Sequence, residues 1–178
     1  TVRVYGLRAQ LKIDLNENWT LTPGINYQDS ESTGSWFGNP ENIGEHEVLR
    51  LFPEWQDEDW VQASLTLEGK IGDLDLVYAG AYLTRDAETV SDYTNYARGL
   101  YGTYYQCASL GSPTAKCYTP SSYWFDSSDS TNMSQELRLS SPSDWRMRFV
   151  GGLFYEDRQV KANTDWHYKS VPECPDSG

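Results

Sequence analysis

The sequence predicts an all-β fold, an antiparallel transmembrane β-barrel segment of about six strands with short periplasmic turns and long extracellular loops. Three observations predict it. Six runs alternate apolar and polar residues with the period of two that sends successive side chains to opposite faces of a strand. The connections between the runs alternate in length, short then long, as in outer-membrane barrels, whereas loop lengths in soluble sandwiches scatter. The longest uncharged apolar stretches, such as 149–155, fall far short of the roughly 18 residues a membrane helix needs, and barrel strands leave only a weak hydropathy signal.

The first run, about 2–15, aligns Tyr5, Leu7, Ala9, Leu11, Ile13 and Leu15 against Arg8, Gln10, Lys12 and Asp14. Asn-Glu-Asn at 16–18 turns into the second, about 19–28, where Trp19, Leu21, Pro23, Ile25 and Tyr27 oppose Thr20, Thr22, Gly24, Asn26 and Gln28. Pro23 belongs where a missing donor is tolerated. A long loop over about 29–58 leads to the third run, about 59–71, with Val61, Ala63, Leu65, Leu67 and Ile71 against Gln62, Ser64, Thr66, Glu68 and Lys70. Gly72 and Asp73 make a tight turn into the fourth, about 74–85, where Leu74, Leu76, Tyr78 and Tyr82 oppose Asp75, Val77, Ala79 and Ala81. The longest loop, about 86–132, precedes a hairpin of strands at about 133–141 and 145–157, joined by Ser-Pro-Ser-Asp. In its second arm Trp145, Met147, Phe149, Gly151, Leu153 and Tyr155 oppose Arg146, Arg148, Val150, Gly152, Phe154 and Glu156. Residues 158–178 have no period and read as a third long loop.

Aromatic residues bound the apolar rows. Trp19 and Trp145 follow short turns, while Tyr27, Tyr82, Tyr155 and Trp60 lie near the long-loop ends. Between them stand mainly Leu, Ile, Val and Ala, and amphipathic rings at both ends suit two headgroup levels. Trp19 to Tyr27 and Trp145 to Tyr155 span nine and eleven residues, the length of a tilted strand crossing a bilayer. Aromatic capping of an ordinary sandwich core is the plain alternative. The opposite face carries Arg8, Lys12, Asp14, Glu68, Lys70, Glu136, Arg138, Arg146 and Arg148, which need water or partners; a wet or plugged bore supplies these but requires more than six strands.

A net charge of -12 argues against a nucleic-acid partner, since phosphate binding needs clustered Lys and Arg. Nine carboxylates and one Arg between Asp29 and Asp59 make an acidic loop, either simply solvated or attracting a cationic ligand. Cys107 and Cys117 enclose Gly111, Ser112 and Pro113 and suit a loop staple in an oxidising compartment, leaving Cys174 without a partner here. Neither His46 nor His167 has zinc-ligand spacing to the cysteines, so no metal site is expected. The chain opens in mid-run, as a piece of a longer one would.

The run SQELRLSSPSDWRMRFVGGLFYEDR, at 134–158, resembles the barrel of TonB-dependent outer-membrane receptors, in which a Q-E-L-R-L-S-S-P hairpin precedes a charged turn and a strand ending V-G-G-L-F-Y. GLRAQLKIDLNENWTLTPGINYQDSES and VQASLTLEGKIGDLDLVYAGAYLTRD are similar to the two preceding hairpins of that family. The likeness runs from about Gly6 to Arg158, apart from the two long connections. It implies a plugged barrel in the bacterial outer membrane, in contact with its lipid, taking up a small scarce nutrient such as a ferric siderophore, cobalamin or oligosaccharide. Energy would come from the TonB complex acting on the plug. The family's plug, TonB-contact segment and closing strand have no counterpart in this sequence, so no coupling residue carries over, and the stretch corresponds to an early third of the barrel wall.

No catalytic residues and no cofactor are expected, because nucleophile elbow, triad and phosphate-cradling loop are all lacking from the sequence. The candidate ligand contacts are aromatic residues of the long loops, Trp36, Phe37, Trp55, Tyr101, Tyr104, Tyr105, Tyr123 and Trp124, whose flat rings can stack on sugars or aromatic chelators or simply pack the loops. Two other classes compete with active transport: a soluble or surface β-sandwich that binds carbohydrate through Trp and Tyr, and a passive porin.

Overall fold

A computed structural model describes residues 1–34, 44, 45, 47–94, 96, 106–108, 113, 116–118 and 121–169. The strands in chain order are β1 (Val2–Gln10), β2 (Ile13–Asn16), β3 (Trp19–Thr33), β4 (Trp55–Ile71), β5 (Leu74–Asp92), β6 (Gln106–Ala108), β7 (Lys116–Tyr118), β8 (Ser122–Ser140) and β9 (Val150–Tyr168). Seven of them make one antiparallel sheet in the order β1-β3-β4-β5-β8-β9, with β2 also on β3, while β6 and β7 pair only with each other. The predicted all-β, antiparallel meander is present. The sheet is open, with β1 and β9 as its edges, and is not closed into a barrel.

Pro23 divides the first predicted run. Leu11 donates to the Pro23 carbonyl at 3.1 Å, but proline has no N–H to return, so the ladder breaks between β1 and β2. The tight turns form as expected. Asn18 N–H donates to Asn16 Oδ1 at 2.9 Å, and Gly72, at φ 62°, begins the two-residue link between the paired Ile71 and Leu74.

The boundaries differ from the sequence reading in two ways. The long strands do not stop where hydrophobic alternation stops: β3 runs to Thr33, β4 starts at Trp55, β5 reaches Asp92, β8 starts at Ser122 and β9 reaches Tyr168, all inside the segments expected as long loops. The link between β8 and β9 is longer than expected, from Ser141 to Phe149. Ser141 N–H donates to the Phe149 carbonyl at 3.0 Å, and Phe149 N–H donates to Ser141 Oγ at 2.9 Å. Trp145, Arg146, Met147 and Arg148 therefore lie in the turn and not on alternating strand faces. Pro142 and Ser143 cannot turn the chain within four residues while Ser141 holds Phe149 as its ladder partner.

The register assigns each row to a face. Leu21, Leu67, Tyr78, Leu137 and Leu153 form one continuous apolar row across five strands, and Ile25, Ala63, Tyr82 and Met133 form another. Along β3 and β4 this apolar face is the more exposed one: Ile25, Tyr27, Ala63 and Leu65 are exposed, whereas Asn26, Gln28, Gln62 and Ser64 on the polar face are half-buried. Over this stretch of the two strands the polar face is the more sheltered one. Among the described residues only Ser32, Thr94, Ser122 and Ser141 are buried, all of them hydroxyl-bearing, so there is no dry apolar core and no second layer over the greasy face.

Candidate functional site

At the ends of β5, β8 and β9 remote from the short turns, rings gather on both faces. Tyr123 and Trp124 are sequence neighbours on a strand, so they point to opposite sides and join different clusters. On the polar side Tyr93 packs on Tyr96 (centroids 4.8 Å apart), on Trp124 (5.2 Å) and edge-on to Trp166 (4.8 Å), and Trp166 continues to Tyr168. On the other side Tyr123 lies between Phe52 at 4.9 Å and His167 at 4.5 Å, with Lys169 Nζ 5.7 Å from its ring centre. Trp55 meets Phe125 at 6.2 Å.

Of the sequence-predicted contacts, Trp55, Tyr123 and Trp124 are therefore in these clusters, at strand ends and not in free loops. Trp36, Phe37, Tyr101, Tyr104 and Tyr105 lie outside the described residues, as do His46 and Cys174. Sequence reading missed Phe52, Tyr93, Tyr96, Phe125, Trp166 and Tyr168. Only one signal was available for Trp166 and Tyr168, their separation by a single residue, which two neighbours on one strand face must have.

The connections are pinned beside the rings. The Asp92 carboxylate accepts the N–H groups of Leu51 (2.5 Å), Phe52 (3.1 Å) and Thr94 (2.7 Å), and Glu54 accepts Asp92 N–H at 3.1 Å and Arg50 Nε at 3.0 Å. Buried Thr94 donates its hydroxyl to the Ser122 carbonyl at 3.2 Å and accepts Ser122 N–H at 3.1 Å. These bonds fix Phe52 over Tyr123 and Tyr93 over Trp124. The short ribbon in the β5–β8 connection sets Cys107 directly opposite Cys117.

On the apolar face four tyrosines descend across the sheet, on β1, β3, β5 and β9, by two residues of register at each step. Tyr5 stands opposite Asp29 of β3; Tyr27 is on β3 itself; Tyr82 shares the row of Ile25; and Tyr155 shares the row of Pro23 through Gln135, Gly80 and Leu65. Gln135, the amide in that last row, accepts the Tyr78 hydroxyl, and Gly80 leaves the space for the bond. Trp60, expected among the girdle residues, belongs to the opposite face. It pairs with Gln28 and Arg85, because its parity on β4 is that of Gln62 and not of Val61.

Beyond the tyrosines the same face turns acidic. Asp29, Asp59, Asp86 and Asp129 are register partners across four strands, and Glu31, Asp57 and Glu88 form the next row. These acids are on strands and not in the solvated loop that sequence suggested. Arg3, 3.7 Å from Glu31, and Lys161, opposite Asp129, flank them. Among the described residues no three acids, histidines or cysteines are grouped to hold a metal ion. Burial, a hydrogen bond with Asp129 and the charges of Asp59 and Asp129 raise the Asp86 carboxyl above its ordinary value. A proton bound more tightly in the folded state means that stability falls as pH rises from the ordinary carboxylate range through the raised value. Asp86 is exposed and water screens its like-charged neighbours, so Asp86→Asn should stabilise the fold only slightly at neutral pH and do nothing in acid; unfolding midpoints at the two pH values check it.

On the polar face Glu58 accepts two bonds from Arg85, Nε at 2.9 Å and a terminal nitrogen at 2.8 Å. Arg85's hydrogen bonds hold the Glu58 carboxyl below its usual range against the opposing effect of burial. Asn26 donates to Gln62 at 3.1 Å, so this face answers its own polar groups laterally.

None of the family models searched matches this chain, and no curated protein matches it in sequence.

Proposed function

We propose that this chain is part of the wall of a transmembrane β-barrel in the bacterial outer membrane, belonging to an active-transport receptor of the TonB-dependent type that takes up a scarce small nutrient. The tyrosine line carries the reading. From Tyr5 to Tyr155 the line drops six residues of β3 while crossing five strand spacings. At about 3.3 Å per residue and 4.8 Å per strand, that is a slope of about 40° to the rows. Strands in outer-membrane barrels tilt by about 35–45°, so a level ring of headgroup-facing tyrosines would cross the register at this slope. The uncovered apolar face and the more sheltered polar face of β3 and β4 agree with it. A soluble sandwich would need a second sheet over Leu65 and Leu137, which are exposed.

In this reading the aromatic ends contact the nutrient, the plug and the TonB complex act through segments beyond these residues, and no catalytic step is involved. The test is fractionation of the full-length protein and uptake by intact cells. Recovery in the outer membrane with uptake abolished by collapsing the inner-membrane proton gradient is the expected result. Recovery as a detergent-free soluble monomer refutes it, and uptake that survives collapse of the gradient points to a passive porin.

Exposure to an oxidising compartment leads to a second expectation. Residues directly opposite in an antiparallel ribbon have Cα atoms about 4.5–5.5 Å apart, within the window a disulfide spans. An unreduced digest should show the Cys107 and Cys117 peptides linked; two alkylated thiols there would exclude the bond.

A further inference from the structure

We propose that the polar-side platform of Tyr93, Tyr96, Trp124, Trp166 and Tyr168 binds the ring faces of a neutral saccharide and disfavours anionic metal chelates. The inference deepens the receptor reading by naming a ligand class, and it rests on that reading only for the ligand's later passage through a bore.

The rings are held by one another and yet remain open. Tyr96 is 57% exposed, Trp166 42% and Tyr168 39%, although each packs on a ring of the platform. Rings already fixed by neighbours lose little freedom when a ligand covers them. Tyr93 and Tyr96 are nearly parallel at 28°, whereas Tyr93 and Trp166 are nearly perpendicular at 86°, so the surface is stepped and offers faces in two directions. A flat aromatic chelator fits one plane; a chain of puckered sugar rings suits a stepped surface. Ring faces accept the C–H sides of sugars, while a sugar's hydroxyl rim needs polar partners close by.

The adjoining rows supply those partners. Directly below the Ser91, Trp124 and Trp166 row come Thr89, Asp126 and Thr164, with Thr164 donating its hydroxyl to Asp126 at 2.5 Å. Below these come Ala87, Ser128 and Ala162, small residues that leave space. Hydroxyls and a carboxylate are donors and acceptors of the kind sugar hydroxyls require. Charge excludes the alternative. Among the described residues of these three rows the formal charges are two carboxylates, Asp126 and, beside Ala87, Glu58, and the next row down brings Arg85, six residues or about 20 Å along β5 from Ser91, already bonded twice to Glu58. An anionic ferric chelate would meet a carboxylate on a chain of net charge -12.

The test uses the full-length protein in detergent micelles, with intrinsic tryptophan emission and calorimetry. Its probes are the neutral hexasaccharides of glucose and mannose, hexagalacturonate, and a ferric tris-catecholate. At least one neutral hexasaccharide should bind about tenfold or more tighter than either anion, and Trp166→Ala should weaken that binding about tenfold or more. Trp145→Ala, in the β8–β9 turn at the opposite end, should leave it unchanged. Failure of every neutral probe, equal or tighter binding of either anion, or unaltered affinity in Trp166→Ala overturns the proposal. Localisation separates the two readings: an outer-membrane protein without saccharide preference sinks the ligand class alone, and a freely soluble saccharide binder sinks the receptor alone.

Discussion

Replacing Leu65 with arginine is expected to block assembly of the full-length protein into membranes. Leu65 lies in the third of the five apolar-face rows that run from Trp19 to Tyr27, the middle of the band, and it is exposed on the apolar face. An arginine at the bilayer midplane costs about 2–4 kcal/mol, falling toward zero near the interfaces. That depth dependence makes the expectation sharper than a single substitution. Leu11→Arg sits in the same row, opposite Pro23, but two strands away, where a slope of about 40° puts it nearer the short-turn end of the band, so a smaller loss is expected. Phe149→Arg should cost the least, because Phe149 belongs to the β8–β9 turn. Heat-modifiable gel migration and urea unfolding in micelles check the order. Equal tolerance of all three would mean that water, and not hydrocarbon, covers this face.

The sequence carried the apolar half of the sheet and lost the polar half, for one physical reason. Period-two hydropathy appears only where the two faces of a strand see different solvents. Between Trp19 and Tyr27 they do, and the runs emerged with the correct face pairing apart from Trp60 and the residues before Val150. Beyond the tyrosines both faces are polar: Asp126-Ser-Ser-Asp-Ser-Thr continues β8 with Asp129 facing one way and Ser128 the other. The ladder persists there through cross-strand hydrogen bonds that composition does not register, and the stretch reads as loop. The aromatic clusters were half legible for the same reason. Tyr123 and Trp124 stand out as rings in a polar stretch, but their partners Phe52, Tyr93 and Trp166 come from three different segments and are joined only by the register and by the Asp92 and Thr94 bonds. The opposite error occurred at Trp145, Met147 and Phe149, where an alternating pattern in a turn imitated a strand.

The second large effect is expected at Gly69, which faces Trp19 across β3 and β4. A Cβ built on Gly69 would lie 2.2 Å from the Trp19 ring, inside van der Waals contact, because the indole lies flat over the glycine backbone. Gly69 therefore owes its place to the ring above it and not to backbone freedom, since it takes no positive φ. Gly69→Val should destabilise by about 1–3 kcal/mol, the usual range for overpacking, even though valine is the better strand former. Trp19→Ala removes the clashing ring, so in that background Gly69→Val should be neutral or stabilising. The two changes should thus be non-additive by about 0.5–3 kcal/mol in a double-mutant cycle of urea midpoints. Additivity would show that Trp19 is not anchored on the Gly69 backbone.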